Sequence, residues 1–402
     1  MTARPRVLMT HPGAELYGAD RVFLESVAAA VNHGAAVTVV LPQTGPLVAE
    51  LERLQVPVLF CPTPVLRKSM LRPKAFLSLV GLSLKASANG LRLIAKTRPD
   101  VLYVSTLTIP LWGLLGKLAR KPVLTHVHEA EASAPVILQR ILAAPLALSS
   151  SIVSNSQFSA RLLARSFPRL AARTHVLYNG VPGPEGVSAA RTPLQGALRL
   201  LYVGRLSQRK GVDVAVEAVA RARQQGVNVS LDIVGGIFPG YEEFEEDLHR
   251  RVHKLDLEDV VTFHGFKEDV WPLRAATDVA IVPSSFDEPF GNTAVEAVLS
   301  ARPLIVSDTS GLREAAAGYE SAQLVPPRDI DAFARAIALV SAKWDHYRLA
   351  AVRDAQRAAS RHSLQTYADG LNQELDALVL DVPERTGRHV VGAFQRTGHV
   401  LR

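Results

Sequence analysis

Cysteine is nearly absent: Cys61 is the one cysteine in 402 residues, so the chain has no internal disulfide. That fits a reducing cytoplasm, and a buried thiol without a chemical task is the plain reading of the residue. Long apolar runs are missing as well, none reaching the ~20 residues that a bilayer crossing requires. From Met1 to Thr10 the chain passes two arginines and enters only a short apolar stretch, which reads as a first strand rather than a secretory leader. The expected location is therefore cytoplasmic, with at most a peripheral position at the inner face of the plasma membrane. Two nucleotide-binding signatures are also lacking. No Gly-x-Gly-x-x-Gly follows a strand of the first half, and the stretch Gly13 to Gly18 is not followed by Lys and Ser or Thr. These absences argue against a nicotinamide-dependent dehydrogenase and a Walker A loop.

Acidic residues are scarce in one region. Between Arg53 and Pro99 there are nine Lys or Arg and no Asp or Glu, within a chain of formal charge +7. Residues 64–98 place eight of these cations around the apolar stretch Phe76 to Leu84. By charge alone nucleic acid, anionic lipid and an acidic glycan are all candidate partners for such a region; an apolar segment flanked by cations suits adsorption to an anionic membrane surface, and nucleic acid is not expected as a partner. A core helix with a solvated basic rim explains the pattern equally well.

What the chain does contain is ample apolar material, 48%, against 21% charged residues, enough for two cores. Short apolar runs alternate with longer helical patterns, the mark of an α/β protein with parallel sheets. Strands are expected at Arg6 to Thr10, Ala36 to Leu41, Val58 to Cys61, Val101 to Ser105, Val123 to His126 and Ser151 to Ser154. A second series follows at Leu198 to Val203, Ser230 to Val234, Val260 to His264, Val279 to Val282, Pro303 to Ser307 and Ala322 to Val325. Helices are expected at Asp20 to Gly34, Pro46 to Leu54, Phe76 to Thr97 and Ala134 to Leu148, then at Asp329 to Lys343 and Asp345 to Leu378. The Pro/Gly-rich stretch around Val181 to Ala190 has no apolar period and reads as a linker. The expected domains are residues 1–182, a linker at 183–197, a second domain at 198–344, helices at 345–380 returning to the first domain, and a basic tail at 381–402.

Two segments carry the strongest chemical signal. Ser284-Ser-Phe-Asp-Glu-Pro-Phe-Gly-Asn-Thr-Ala-Val-Glu296 follows a strand and opens a helix. Amides of Phe290, Gly291, Asn292 and Thr293 would sit at a helix N-terminus, where free donors and the helix dipole favour a diphosphate. Thr293 and Glu296 also fit a capping box, a purely structural use of the same residues. The second segment, Gly204-Arg-Leu-Ser-Gln-Arg-Lys-Gly211, follows the first strand of the second domain. There Gly204 permits a tight turn, and Arg205 and Lys210 can bring two cations onto one phosphate pair. A solvated basic loop is the alternative. Cations and helix amides together would stabilise charge developing on a departing diphosphate.

These segments resemble glycosyltransferase family 4, as do Tyr17-Gly-Ala-Asp-Arg21, His126-Val-His-Glu129 and Val176-Leu-Tyr-Asn-Gly-Val181. The resemblance runs from about Val7 to Asp369. It implies the GT-B architecture, two Rossmann-like doubly wound domains with a cleft between them and C-terminal helices crossing back. It also implies a retaining enzyme that moves a sugar from a UDP- or GDP-sugar donor to a glycan or lipid-linked acceptor, with no cofactor and no catalytic metal. Arg205 and Lys210 would hold the donor diphosphate, Glu296 the ribose hydroxyls and Glu288 the transferred sugar. Backbone at Phe290, Gly291, Asn292 and Thr293 would complete the phosphate site. Gly18 matches a glycine loop near the diphosphate, although Tyr-Gly-Ala-Asp stands where many relatives have a double glycine. His128 matches a position near the reacting sugar. Gly235 borders the donor cleft, and backbone near Phe266 approaches the base. An epimerase or hydrolase on the same fold, or an inactive nucleotide-sugar-binding protein, are the rival readings.

Overall fold

The computed structural model describes residues 4–16, 18–65, 73–129, 135–238 and 240–380, with residues 73–80 described by their backbone alone. Tyr17, Arg67, Lys68, Arg72 and the basic tail 381–402 lie outside the described residues.

Among the described residues two parallel sheets form, one per half of the chain. The first holds β1 (Arg6–Thr10), β2 (Ala36–Leu41), β3 (Val58–Phe60), β4 (Val101–Ser105), β5 (Val123–Val127), β6 (Ser151–Ser154) and β7 (Thr174–Val176), in the order β3-β2-β1-β4-β5-β6-β7. Every residue of β4, β5 and β6 is buried, as expected where helices cover both faces of a parallel sheet. Each fully buried Val, Leu or Ile contributes roughly 2 kcal/mol. The covering helices are α1 (Gly18–Asn32), α2 (Pro46–Arg53), α3 (Pro73–Thr97), α4 (Pro110–Leu118), α5 (Val136–Ala143) and α6 (Gln157–Ser166). The helix expected through Leu148 stops at Ala143 and continues as a 3-10 turn, Ala144–Leu148, with Pro145 in its first turn. Proline lacks the amide that would continue the α-helical ladder. Strand β7 was not anticipated, because Thr174-His-Val176 is no apolar run and none of its residues is buried.

The second sheet holds β8 (Leu198–Val203), β9 (Val229–Val234), β10 (Val261–Phe263), β11 (Val279–Val282), β12 (Leu304–Ser307) and β13 (Ala322–Val325), in the order β10-β9-β8-β11-β12-β13. This is the Rossmann order, reversing direction between β8 and β11, just as the first sheet reverses between β1 and β4. Its helices are α7 (Val212–Gln224), α8 (Glu242–Lys254), α9 (Trp271–Ala276), α10 (Asn292–Leu299), α11 (Ser310–Ala316) and α12 (Ile330–Ala342). Buried Arg302 pins the stretch before β8 by donating to the Ser188 carbonyl at 2.7 Å, and Arg191 pairs with Asp278 at 2.7 Å.

The single helix expected over Asp345 to Leu378 is two, α13 (Trp344–Arg361) and α14 (Leu364–Leu380). Ser363 breaks it by capping α14, its hydroxyl accepting from the Thr366 amide at 2.9 Å. α13 stays with the second domain, against α10 and α12, while α14 crosses to α1, β4 and β5. There Glu374 bonds Ser151 at 2.8 Å and pairs with His175, and Asp376 meets His33 at 2.9 Å. The chain's two passages between domains lie side by side, since the Val181 amide donates to the His362 carbonyl at 3.0 Å.

Candidate active site

The loops that follow β1, β4 and β5 in the first sheet, and β8 to β11 in the second, leave from carboxyl ends, where doubly wound sheets hold ligands. All the residues singled out from sequence lie on or just beyond those loops.

On the second-domain side the loop after β8 meets the loop after β11. Lys210 Nζ lies 2.8 Å from Glu288 Oε1, which also accepts from Ser284 at 3.1 Å. Burial would raise the Glu288 carboxyl, but the charges of Lys210 and Arg209 and these hydrogen bonds outweigh it and hold the group below its ordinary value. The two residues read from sequence as separate grips, one for phosphate and one for sugar, are thus a single ion pair whose carboxylate is buried. A third of the Lys210 side chain remains exposed, so its ammonium can still meet an anion. On the same loop Arg205 is exposed, with its guanidinium 3.3 Å from the Phe238 ring centroid, and its carbonyl accepts from the Tyr202 hydroxyl at 2.7 Å.

Glycine is obligatory at two of the chosen positions. Gly235 has φ 146°, and a Cβ there would fall 1.8 Å from the Gly204 carbonyl oxygen, so the loops after β8 and β9 touch backbone to backbone. Gly291 has φ 121°, and a Cβ would strike Leu312 at 2.5 Å. Gly18 is different: it opens α1 in ordinary backbone, and a Cβ there would meet nothing within 4 Å. Phe266 is exposed on the loop after β10, near Gly236.

Helix α10 begins at Asn292 and has no side-chain cap. Thr293 therefore lies inside the helix and the capping box does not form. Glu296 instead takes Arg274 Nη2 on Oε2 at 2.5 Å. Arg274 is 2% exposed, and the sequence reading passed it over, although a lone cation in the otherwise apolar α9 was the available signal. The side chain of Phe290 points away from solvent, its ring centroid 5.7 Å from Tyr178 and 5.6 Å from His362, at the passage between domains. Here the first domain grips the loop: Asn179 donates to Asn292 at 2.8 Å, and Ser156 to the Pro289 carbonyl at 2.5 Å. Glu314 of α11 caps the N-terminus of α6, accepting from the Gln157 and Phe158 amides at 2.7 and 3.1 Å. At another point Arg21 of α1 donates to the Glu268 carbonyl at 3.3 Å.

The first-domain side is a buried network of mostly neutral groups. His128 follows β5, and Glu129 accepts from its backbone amide at 3.1 Å. Its ring lies 4.0 Å from that of His126, and neither Nε2 has a hydrogen-bond partner among the described residues. Burial, reinforced by His11, drives the His128 imidazole down to about 3, so it is neutral at physiological pH. His126 Nδ1 bonds the Tyr103 hydroxyl at 2.7 Å, and Ser26 links Tyr103 to Tyr367 of α14 at 3.1 and 2.6 Å. His11, just after β1, bonds Ser105 and Asp20, both at 2.9 Å, and stacks on Phe23. Nothing in the sequence reading pointed to His11, Tyr103 or Tyr367. Among the described residues no hydrogen bond or ring contact joins His128 or Gly18 to the second-domain group.

Such an arrangement can fix an anion on one side, with Arg205, Lys210 and the start of α10, and offer uncharged donors and acceptors on the other. Both halves of the chain are similar to known proteins. Residues 17–182 match the profile of Glycosyltransferase Family 4, and residues 190–357 that of Glycosyl transferases group 1. The glycogen synthase of Mycobacterium tuberculosis is 34% identical over 173 residues, 42% of this chain and 40% of that one. The amylovoran biosynthesis glycosyltransferase AmsK of Erwinia amylovora is 30% identical over 181 residues, 43% of each chain. The matched segments thus span less than half the length of these curated relatives. Among solved structures, Anabaena HepE in complex with UDP-glucose superposes with a TM-score of 0.77 at 21% identity, covering 92% of this chain and 99% of that one. WaaG, a glycosyltransferase involved in lipopolysaccharide biosynthesis, superposes at 0.65 with 15% identity, covering 94% of this chain and 100% of that one. With both halves matched by their profiles and the fold shared with such neighbours, the chain belongs to glycosyltransferase family 4 and has the GT-B fold.

Proposed function

We propose that the protein is a retaining glycosyltransferase that moves a sugar from a UDP- or GDP-sugar to a glycan or lipid-linked acceptor, in the making of cell-surface polysaccharide or glycolipid. The observation that carries this reading is the Lys210–Glu288 pair, which joins the loop that holds Arg205 to the loop that leads into the uncapped start of α10. The names of AmsK and WaaG, and the UDP-glucose bound to HepE, support it.

In this scheme Arg205 and Lys210 face the donor diphosphate, with the α10 amides of Asn292 and Thr293 beneath it. As the bond between the anomeric carbon and the β-phosphate oxygen breaks, these fixed charges meet the negative charge left on the phosphate, without a catalytic metal. The acceptor oxygen bonds the same face of the anomeric carbon, and its proton passes to the departing phosphate. Glu288, held by Lys210, accepts from a sugar hydroxyl. Glu296, held by Arg274, accepts from the ribose. His128, kept neutral, contributes a hydrogen bond through Nε2 rather than a charge.

The test is to incubate the protein with a panel of UDP- and GDP-sugars, with and without candidate glycan and lipid-linked acceptors. Nucleotide release should depend on acceptor, and the product should keep the donor's anomeric configuration by NMR. Sugar release without acceptor would make it a hydrolase. Tight donor binding without any turnover would make it a binding protein.

A further inference from the structure

Helices α3, α4 and α5 contain no Asp or Glu at all. Across residues 54–184 the chain has 16 Lys or Arg against three acidic residues, Asp100, Glu129 and Glu131. The three helices form one continuous surface, because α4 packs on α3, and both α4 and α5 pack on the turn Ala144–Leu148. That surface exposes large apolar side chains that the fold has no reason to leave bare: Leu84 is 69% exposed, Leu118 62%, Val136 60%, Ile137 71% and Ile141 59%. Ile137 and Ile141 stand one turn apart on the same side of α5. Exposed cations, among them Lys85, Lys117, Arg120 and Arg140, are interspersed with them.

Between α3, α4 and the turn lies a cavity of about 390 Å³. Its lining is Pro64, Pro110, Pro145, Leu111, Leu114 and Leu148, with Ser83 the one polar residue. Pro110 opens α4 just beyond β4, two residues after Thr108. The neighbouring Leu107 amide reaches the Glu129 carboxylate at 3.5 Å. The Pro110 end of the groove therefore lies near the loop that adjoins His128, and Ser83 in its lining directly precedes exposed Leu84.

We propose that the face of α3, α4 and α5 docks on an anionic lipid bilayer, and that the groove receives the hydrocarbon chain of a bilayer lipid. Charge complementarity selects this occupant. Cations mixed with apolar side chains, free of carboxylates across three helices, match a surface of anionic headgroups over hydrocarbon. A contact between two copies of this chain would set those cations against each other. The proposal deepens the acceptor-side reading above and rests on it for its purpose: a lipid seated this way carries its headgroup toward Glu129 and His128. It goes beyond the basic segment 64–98, because α4 and α5 supply much of the surface.

The experiment is co-sedimentation of the full chain with vesicles of phosphatidylcholine alone, or mixed with phosphatidylglycerol, at low and high salt. Binding is expected to the anionic vesicles only and to weaken with salt. Ile137→Ser/Ile141→Ser should lower the partition coefficient about tenfold or more, since two large exposed apolar groups are lost. Lys117→Glu/Arg120→Glu should weaken binding to anionic vesicles alone. All four positions are exposed and outside the site, so the melting temperature and the thermal shift produced by UDP serve as folding controls. No sedimentation with anionic vesicles overturns the proposal. So does binding unaffected by the isoleucine pair, or a dimer broken by that pair in a chain that ignores vesicles. Acceptor-dependent transfer is read separately, so its failure with vesicle binding intact would sink the catalytic reading and leave the docking surface standing.

Discussion

Across the cleft the two domains hold their polar groups in different ways. On the second-domain side the charges come paired, Lys210 with Glu288 and Arg274 with Glu296, each with one member almost fully buried. On the first-domain side His126, His128, Tyr103, Ser26 and Tyr367 form a buried network in which burial keeps both histidines neutral. On the function proposed above, the difference follows from what each side would hold. A diphosphate needs fixed positive charge, and fixed charge in a closed site must be paired to remain in place. Sugar and acceptor hydroxyls need donors and acceptors without net charge, which neutral rings and hydroxyls supply at less desolvation cost.

The sharpest way to break the comparison is at Lys210. Lys210→Met should lower turnover about 100- to 1000-fold, the range seen when one stabilising group for transition-state charge is lost. It should also destabilise the fold, because Glu288 is left buried without its counter-charge. Adding Glu288→Gln should restore much of the melting temperature and none of the turnover. If the double variant regains turnover as well, the pair is structural and the paired-charge account of the second domain fails.

Acid should separate the two sides next. His362, 1% exposed and with neither ring nitrogen bonded among the described residues, is pushed by burial down to about 4. In the unfolded chain it titrates near 6.5, so the unfolded state binds more protons below that pH. Stability should therefore fall as pH drops from about 6.5, the loss from His362 reaching about 3 kcal/mol at pH 4 and levelling off about a unit below it. His128, driven down to about 3, adds a loss of the same sign. The Lys210–Glu288 pair acts in another window: the Glu288 carboxyl lies below its ordinary value, so its contribution fades only as carboxylates protonate. Urea melts from pH 7 to 4.5 should show the early slope, and His362→Leu should flatten it. An unchanged slope in that variant would remove His362 from the account.

A smaller effect is expected at Arg274. Arg274→Leu frees the Glu296 carboxylate to move, so the donor KM should rise about tenfold, worth about 1.4 kcal/mol, while kcat changes little. Equal losses in kcat and kcat/KM would instead place Glu296 at the reacting centre.

Much of the second-domain side was legible in sequence because its parts are local. Gly204 to Gly211 and Glu288 to Glu296 are continuous stretches whose residue types suit an anion, the second running into α10 at Asn292. Both sheets were legible too, since fully buried strands read as short apolar runs between helical patterns. What sequence hid depends on contacts across long separations. Lys210 meets Glu288 from 78 residues away, and Arg274 meets Glu296 from a neighbouring helix. The break at Ser363 was hidden for another reason: the apolar pattern continues through it, and only the cap on Thr366 shows where the helix restarts. The exposed apolar face of α5 escaped because an apolar helix reads as core until its neighbours are known.

The smallest effect, and the one that sharpens the comparison most finely, is at Tyr367. Its hydroxyl reaches Ser26 from 341 residues away and ties α14 through Tyr103 to His126, whose ring lies against His128. Tyr367→Phe keeps the buried ring and removes the hydroxyl, so stability should fall by about 1 kcal/mol, the net worth of one internal hydrogen bond. If the network only braces the fold, donor affinity and turnover will both be unchanged. If it also sets the His128 ring, kcat should drop severalfold while the thermal shift produced by UDP stays as in the parent chain, because the cations proposed to grip the diphosphate, Arg205 and Lys210, lie on the other domain. A loss of UDP affinity of the same size as the loss in kcat would mean that the crossing helix acts on closure of the two domains, and that the sides are not independent in the way their chemistry suggests.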